Sequence, residues 1–159
     1  MSGPRPVPGA RPLLFDRLVD DDPLAPYEAE PHRTLDAAGL RRSVAAELER
    51  MLNTRAPLPA DQLAGRRRST VDYGIPDLSH FWPGAGGSQA ELARLIEETI
   101  TAFEPRLIAP RVAIIPGVER RESMVVEITG KLAIGTVMQP VTFALPLPGL
   151  PEGDEETDG

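Results

Sequence analysis

The residues of this chain best suited to chemistry are a carboxylate and a guanidinium separated by one proline, Glu104-Pro105-Arg106. The proline disfavours the α conformation at Glu104, so it ends the helix that the preceding residues predict. Glu104 then lies at a helix C-terminus, where the helix dipole disfavours a negative charge by about 0.3–1 kcal/mol. We therefore expect a compensating cation at this charged corner (Glu104, Pro105 and Arg106), supplied by Arg106, by another arginine of the chain or by a partner protein.

A carboxylate at such a place raises the question of glycoside hydrolysis, which needs a second carboxyl group about 5–9.5 Å from the first. Asp72 and Asp77 are the candidate second acids for Glu104. However, the neighbouring guanidinium of Arg106 stabilises the charged form of Glu104, which is the opposite of what a general acid requires. Aromatic residues, which stack on sugar rings, make up only 4% of the chain. The residues therefore disfavour an enzyme, and we assign no catalytic residue and no cofactor.

Other kinds of site find little support in the sequence. The chain has no cysteine, and His32 and His80 do not have metal-ligand spacing, so we predict no metal site. The glycine-rich stretch 84–87 precedes a predicted helix, but it lacks the lysine of a phosphate-binding loop and does not follow a strand. Arg66-Arg67-Arg68 is a short basic run in a loop. It favours contacts with carboxylates of a partner over contacts with phosphates.

Length and charge limit the class of protein. A chain of 159 residues is one domain by length. Five of its negative charges follow Pro151, and removing them from the total of −7 leaves the body of the chain near −2. Such a balance is not that of a nucleic-acid-binding protein. No apolar run approaches the roughly 20 residues of a membrane span, and the N-terminus lacks the apolar core of a signal peptide. We expect a soluble cytoplasmic protein that does not insert into a membrane.

Hydrophobic spacing predicts the elements that hold the charged corner. Ser88 and Glu91 have the spacing of a helix-capping pair, and apolar residues recur at helical spacing from there to Phe103. A second amphipathic helix is predicted over 39–54, and alternating or β-branched residues predict strands over 107–115, 123–131 and 139–145. The fold class is therefore α+β, with two main helices packed on a small, mostly antiparallel three-stranded sheet that ends in a C-terminal hairpin.

The ends of the chain and the edges of the sheet complete the prediction. Residues 1–12, rich in Pro, Gly and Arg, and the acidic residues 148–159 are expected to be disordered, which leaves 13–147 as a single domain. A free sheet edge can accept a strand from another chain. Pro110 protects the first strand from pairing with another chain, and prolines end the last strand. The N-terminal segment could also cover one edge. The sequence therefore does not decide which edge of the sheet is free. Our candidate edge is the last strand, which carries Val141, Phe143 and Leu145.

Four motifs occur in an order seen in one known family. They occupy residues 14–18, 43–55, 69–79 and 103–107 and read LFDRL, SVAAELERMLNTR, STVDYGIPDLS and FEPRL. Over residues 13–146 the chain thus resembles the lysozyme-like family of phage baseplate wedge proteins. Within that family it is most similar to the TssE wedge subunits of bacterial type VI secretion systems.

The resemblance implies a structural role. Members of the family sit in the wedge of a contractile-tail baseplate, and their small sheet accepts strands from the first sheath subunits, which starts sheath polymerisation. It also implies that Glu104, Pro105 and Arg106 dock on the helical core bundle of the wedge. Further candidate contacts in the motifs are Phe15, Arg17, Arg55, Tyr73 and Pro76.

The implied partners are wedge subunits of the TssF, TssG and TssK types, sheath subunits of the TssB and TssC types, and the tube or spike hub. The implied location is the cytoplasm, in a baseplate at the inner face of the cytoplasmic membrane. Two alternatives stay open: a wedge protein of an extracellular contractile particle of the phage type, and a peptidoglycan hydrolase that acts through Glu104.

Overall fold

The computed structural model describes Leu24 and residues 35–63, 65–81, 88–116, 124–134 and 136–147. Helices α1 (Ala37–Asn53), α2 (Ala60–Leu63) and α3 (Gln89–Phe103) precede strands β1 (Leu107–Pro116), β2 (Met124–Ile134) and β3 (Val137–Pro146). The strands form one antiparallel sheet in the order β1-β2-β3, so the α+β prediction is confirmed. The predicted head 1–12, the predicted tail 148–159, and Phe15 and Arg17 lie outside the described residues.

Helix α1 begins at a side-chain cap. The carboxylate of Asp36 accepts a hydrogen bond of 2.7 Å from the backbone N–H of Gly39, which satisfies one of the donors that a helix leaves unpaired at its start. This cap explains why the helix starts two residues before the predicted position. Its apolar side chains, spaced three and four residues apart, are buried: Leu40, Val44, Leu48, Met51 and Leu52.

Helix α3 has the predicted cap and the predicted end. The hydroxyl of Ser88 accepts a 3.1 Å hydrogen bond from the backbone N–H of Glu91. The helix ends at Phe103, and Glu104 is its C-cap residue because Pro105 follows. The helix buries one stripe of side chains: Leu92, Leu95, Ile96, Thr99 and Ile100. The charged corner therefore lies between the end of α3 at Phe103 and the start of β1 at Leu107.

The sheet buries one face against the helices. In the central strand β2, Val126, Ile128 and Leu132 are buried. Their antiparallel neighbours on β3 include Leu145, opposite Val126, and Phe143, opposite Ile128. The alternate residues of β2 lie on the other face, half-buried or exposed: Val125, Glu127, Thr129, Lys131 and Ala133. Strand β2 extends to Ile134, three residues beyond its predicted end, since the alternation of buried and exposed residues continues through Leu132.

Strand β1 contains a bulge at Pro110. The register shifts between Ile108 and Arg111, and Ala109 has a φ of 50°. A Cβ atom at Gly130, on the neighbouring strand, would lie 2.7 Å from the side chain of Leu107. Glycine at 130 therefore leaves space for the side chain of Leu107 beside the bulge.

A loop returns to the end of α1 and is bound there by backbone hydrogen bonds. Ala56 N–H donates to the carbonyl of Ile75 at 2.8 Å, and Ile75 N–H donates to the carbonyl of Thr54 at 3.0 Å. Between them Gly74 has a φ of 101°, and a Cβ atom there would lie 2.4 Å from the Thr54 oxygen. This close parallel contact holds the loop containing Tyr73 beside the C-terminal end of α1.

Candidate docking site

The charged corner is closed by an internal ion pair. The side chain of Glu104 is 1% exposed, and its two oxygens accept from Arg106 Nε at 2.8 Å and Nη2 at 2.6 Å. The backbone N–H of Arg106 donates to the same carboxylate at 3.1 Å. Such bidentate, charge-assisted bonding fixes both side chains and offsets the unfavourable helix dipole. Of the three sources of a cation that the sequence left open, Arg106 is the one that the structure shows.

Arg106 also connects the corner to α1. Its Nη1 donates to the hydroxyl of Ser43 at 2.7 Å, so one guanidinium contacts both the helix end and the first helix. The side chain of Arg106 is 14% exposed, whereas Pro105 lies exposed on the surface. The outward surface of the corner is therefore formed by Pro105 and the rim of the Arg106 side chain. Glu104 lies behind them and holds the guanidinium in place.

Tyr73 packs directly behind the corner. Its ring meets the ring of Phe103 edge to face, with centroids 5.3 Å apart. Its hydroxyl donates to the carboxylate of Glu47 on α1 at 2.7 Å. Burial and the hydrogen bond to Glu47 raise the pKa of Tyr73. Glu47 also forms an ion pair with Arg50, so Tyr73 belongs to a polar cluster on α1.

Two of the three loop arginines face their own chain. Arg68 donates to the Thr99 hydroxyl at 2.8 Å and to the Asp72 carbonyl at 3.0 Å, and it lies 5.8 Å from the centre of the Phe103 ring. Arg66 lies 3.5 Å from the carboxylate of Asp72. The sequence favoured partner carboxylates for this basic run, whereas the structure shows that Arg66 and Arg68 already have acceptors inside the domain.

The two acids considered as companions of Glu104 have other functions in the structure. Asp72 is buried, and its carboxylate accepts from the backbone N–H and the hydroxyl of Ser69, each at 2.9 Å. Asp77 is exposed and accepts from the backbone N–H of Ser79 at 2.9 Å. These hydrogen bonds lower the pKa of both carboxyl groups, because they favour the charged form. The two carboxylates stabilise turns in the loop that Tyr73 belongs to.

The remaining candidate contacts lie on the same loop and at the end of α1. Arg55 is exposed and donates to the carbonyl of Leu52 at 3.1 Å, while Pro76 is buried. Arg55 pairs with Ile75 through the parallel bridge, so the structure brings Arg55 and Pro76 close to each other in the fold. Their contact with a partner stays a prediction.

Strand β3 forms one edge of the sheet. Val141 and Phe143 are 7% and 6% exposed, and Leu145 packs partly against the same core. The side chains that we named for strand addition therefore point into the domain. What β3 presents at its edge is its backbone. The alternation of side chains in the sequence does not show whether these three residues or the backbone groups of the strand are available to a partner.

No group of three or more His, Cys, Asp or Glu side chains that could hold a metal ion is found in the described part of the chain. The helices described here are also too short or too polar to cross a membrane.

Comparison with known proteins gives a family and one related structure. A family model of the baseplate wedge protein gp25 matches residues 38–135. No curated protein sequence matches the chain. Among solved structures, a chain from the baseplate complex of the type VI secretion system is 21% identical, with a TM-score of 0.47. That alignment covers 69% of this chain and 95% of the other.

The fold and the internally paired corner define a small structural α+β domain. Since the family model covers more than half of the chain, from the start of α1 to just beyond β2, the chain belongs to the family of baseplate wedge proteins of the gp25 type. It is accordingly a structural component of a baseplate.

Proposed function

We propose that this protein is a non-enzymatic wedge subunit of a type VI secretion baseplate, of the TssE kind, which docks on the wedge and initiates the sheath. Its wedge partners are subunits of the TssF, TssG and TssK types, and its sheath partners are subunits of the TssB and TssC types. We also propose a contact with the tube or spike hub. The baseplate lies in the cytoplasm at the inner face of the cytoplasmic membrane.

The observation that supports this proposal is the position of the charged corner within the family match. Residues 38–135 include Ser43, Glu104, Pro105 and Arg106, so the matched region contains the whole hydrogen-bonded unit. Within that family the chain most resembles the TssE wedge subunits, and we therefore prefer the type VI secretion system to an extracellular contractile particle. The proposed role of the corner is docking, and its rigidity suits that role, because a pre-ordered surface loses little conformational entropy on binding.

In the proposed docking step, Pro105 and the rim of Arg106 touch the helical bundle of the wedge, and Glu104 positions Arg106. Two hydrogen bonds from one guanidinium to a buried carboxylate leave its plane in a single orientation. An acceptor on the wedge bundle could then bind Arg106 without ordering a flexible side chain. Removal of one member of a desolvated charge pair at an interface typically costs about 2–5 kcal/mol, enough to prevent assembly.

The proposed second step is addition of strands from sheath subunits to the edge of the three-stranded sheet. Backbone hydrogen bonds would supply the affinity, and the alternation of side chains would set the register. The product of both steps is a positioned platform from which the sheath grows.

Docking is tested by co-purification of wedge subunits with variants of the charged corner. Pro105→Glu places a charged side chain on the outward surface and leaves the inward ion pair intact, whereas Arg106→Ala removes the proposed contact itself. We expect both to lose the wedge subunits, and Arg111→Ala, on the exposed face of β1, to retain them. Circular dichroism melting shows which variants are folded. Normal co-purification with folded Pro105→Glu and Arg106→Ala would exclude the corner as the docking site.

The absence of enzymatic activity is tested separately by incubating the purified protein with peptidoglycan. We expect no release of soluble fragments. Release that disappears in Glu104→Gln would establish the hydrolase alternative instead.

A further inference from the structure

The backbone of β3 alternates between bonds to β2 and bonds directed away from the sheet. In an antiparallel ladder, every second residue exchanges both backbone hydrogen bonds with the residue opposite it on the neighbouring strand. The residues between them direct their backbone N–H and C=O groups away from that strand. Pro140 and Pro146 cannot donate a hydrogen bond, so they fit the outward set, which then includes Thr142 and Ala144. A contact confirms this assignment: Arg41 Nη2, from α1, reaches the carbonyl oxygen of Thr142 at 2.9 Å.

The same alternation identifies the outward groups of β1. Residues of β2 that do not bond to β3 must bond to β1, and these include Thr129, opposite Arg111. Val112 and Ile114 therefore point outward. Val112 N–H donates to the carboxylate of Glu97, on α3, at 3.3 Å, and the same carboxylate holds Arg111 at 2.9 Å. A carboxylate thus occupies the position that a carbonyl oxygen of an added strand would need.

The two edges differ in what they leave available. On β1 one of the two outward N–H groups is bonded to Glu97, and the bulge at Ala109 distorts the strand before it. On β3 the N–H groups of Thr142 and Ala144 have no acceptor among the described residues, and only the Thr142 carbonyl is bonded, to Arg41. Strand β3 is also regular over its full paired length. The edge of β3 is therefore the better template for an added strand.

From this comparison we propose that the β3 edge, between Pro140 and Pro146, accepts the added strand, and that Arg41 selects a strand with an acidic side chain facing α1. The proposal rests on the strand-addition step proposed above and names the edge and the chemistry of its partner. An incoming backbone N–H would take the Thr142 carbonyl from Arg41, and the released guanidinium would then need a new acceptor. A carboxylate on the incoming strand supplies one in a charge-assisted bond.

Arg41 lies beside an aromatic ring, with small residues one helical turn before and after it on α1. Its guanidinium carbon lies 5.5 Å from the centre of the Phe143 ring, which favours an exposed position of this cation beside the edge. Ala38 and Ala45 occupy the neighbouring turns on the same face of α1, by their spacing of three and four residues from Arg41. Small residues on both sides of one cation favour a partner strand with a single acidic side chain at that position.

Two pairs of variants of the full chain test the edge and the charge. Ala144→Pro removes an outward N–H of β3 at a position equivalent to its neighbouring prolines. Ile114→Pro removes the corresponding outward N–H of β1, together with a side chain that packs partly on the core. Arg41→Glu reverses the charge at the β3 edge, and Arg111→Glu does so at the β1 edge. The measured quantity is the affinity for purified cognate sheath subunits, after circular dichroism has confirmed that each variant is folded.

We expect Ala144→Pro and Arg41→Glu to weaken binding at least tenfold, and the two β1 variants to stay within twofold of the wild type. Loss confined to the β1 variants, or wild-type affinity in all four, would overturn the edge proposal while the strand-addition step and the wedge-docking step remain separately testable. If the wild-type chain itself binds no sheath subunit, the strand-addition step fails and this inference fails with it.

A second measurement does not depend on substitution. Amide hydrogen exchange followed by NMR should show rapid exchange of the Thr142 and Ala144 amides in the unbound protein, and protection of both when sheath subunits are added. Protection of the Val112 and Ile114 amides instead would place the added strand on β1 and overturn the proposal.

Discussion

The carboxylate of Glu104 is held at both oxygens by the guanidinium of Arg106, two residues further along the chain, at distances of 2.8 and 2.6 Å. Because Glu104 is buried, Arg106→Ala would leave its charge unpaired, and we expect a loss of about 3–5 kcal/mol in the free energy of unfolding. The control is Arg111→Ala, which removes an exposed ion pair worth at most about 1 kcal/mol. Urea unfolding measures both, and equal losses would show that the buried pair contributes no more than a surface pair.

Gly74 and Gly65 offer a matched test of backbone geometry. Both have positive φ, 101° and 67°, but a Cβ atom at Gly74 would lie 2.4 Å from the carbonyl oxygen of Thr54, whereas nothing lies within 4 Å at Gly65. We expect Gly65→Ala to cost about 1–2 kcal/mol from the backbone conformation alone. Gly74→Ala should cost clearly more, since it also separates the loop from the end of α1. Thermal unfolding measures the difference, and similar melting temperatures for the two variants would contradict the close contact.

The hydroxyl of Tyr73 should make the free energy of unfolding decrease at alkaline pH. Because burial and Glu47 raise its pKa, the folded state holds the phenolic proton more tightly than the unfolded state, in which tyrosine titrates near about pH 10. This stabilisation is complete below about pH 10 and is lost as the pH rises further. Tyr73→Phe should therefore be less stable than the wild type by about 1–2 kcal/mol near neutral pH.

The difference between Tyr73→Phe and the wild type should become smaller above about pH 10, because only the wild type can lose the proton. Urea unfolding at pH values near about 8 and about 11 gives both comparisons. Tyr27 is present in both proteins, so its titration cancels. A difference that stays constant with pH would show that the hydroxyl does not titrate differently in the two states.

Arg68 holds its loop against α3, and lysine cannot replace it. The planar guanidinium donates to Thr99 and to the carbonyl of Asp72 at once, while a lysine ammonium is a point charge on a flexible chain. We expect Arg68→Lys to cost about 1–3 kcal/mol. The neighbouring exposed Arg67 supplies the control, since Arg67→Lys should change stability by less than about 0.5 kcal/mol. Equal melting temperatures for these two lysine variants would argue against this network.

The helices and the order of the strands could be predicted from the sequence because their signals are local. Ser88 three residues before Glu91, and apolar residues at helical spacing up to Phe103, specify α3 without any knowledge of the rest of the fold. The start of α1 at Ala37 was missed by two residues, because the alanines of its first turn show no amphipathic spacing. The end of β2 at Ile134 was missed by three, because Leu132, Ala133 and Ile134 are all apolar and do not show the alternation of a half-buried strand.

Most of the candidate site could not be derived in this way, because its contacts join distant parts of the chain. Arg106 meets Ser43 over 63 residues, and Arg41 meets Thr142 over 101 residues. Such pairs require the packing of α1 on the sheet, which no single segment specifies. The sequence also left open whether Glu104 faces the interior, because the same three residues, Glu104, Pro105 and Arg106, could form either a buried or an exposed ion pair.

The prolines on the outer edge of β3 also bear on how the protein behaves at high concentration. With no N–H at 140 or 146, a second copy of the same chain could form only a short stretch of backbone bonds there before the ladder is interrupted. Long flat edges nucleate fibrils and aggregates, and prolines are one of the devices that prevent this. The prolines at 140 and 146 therefore disfavour pairing of this edge with the same edge of a second copy of the chain.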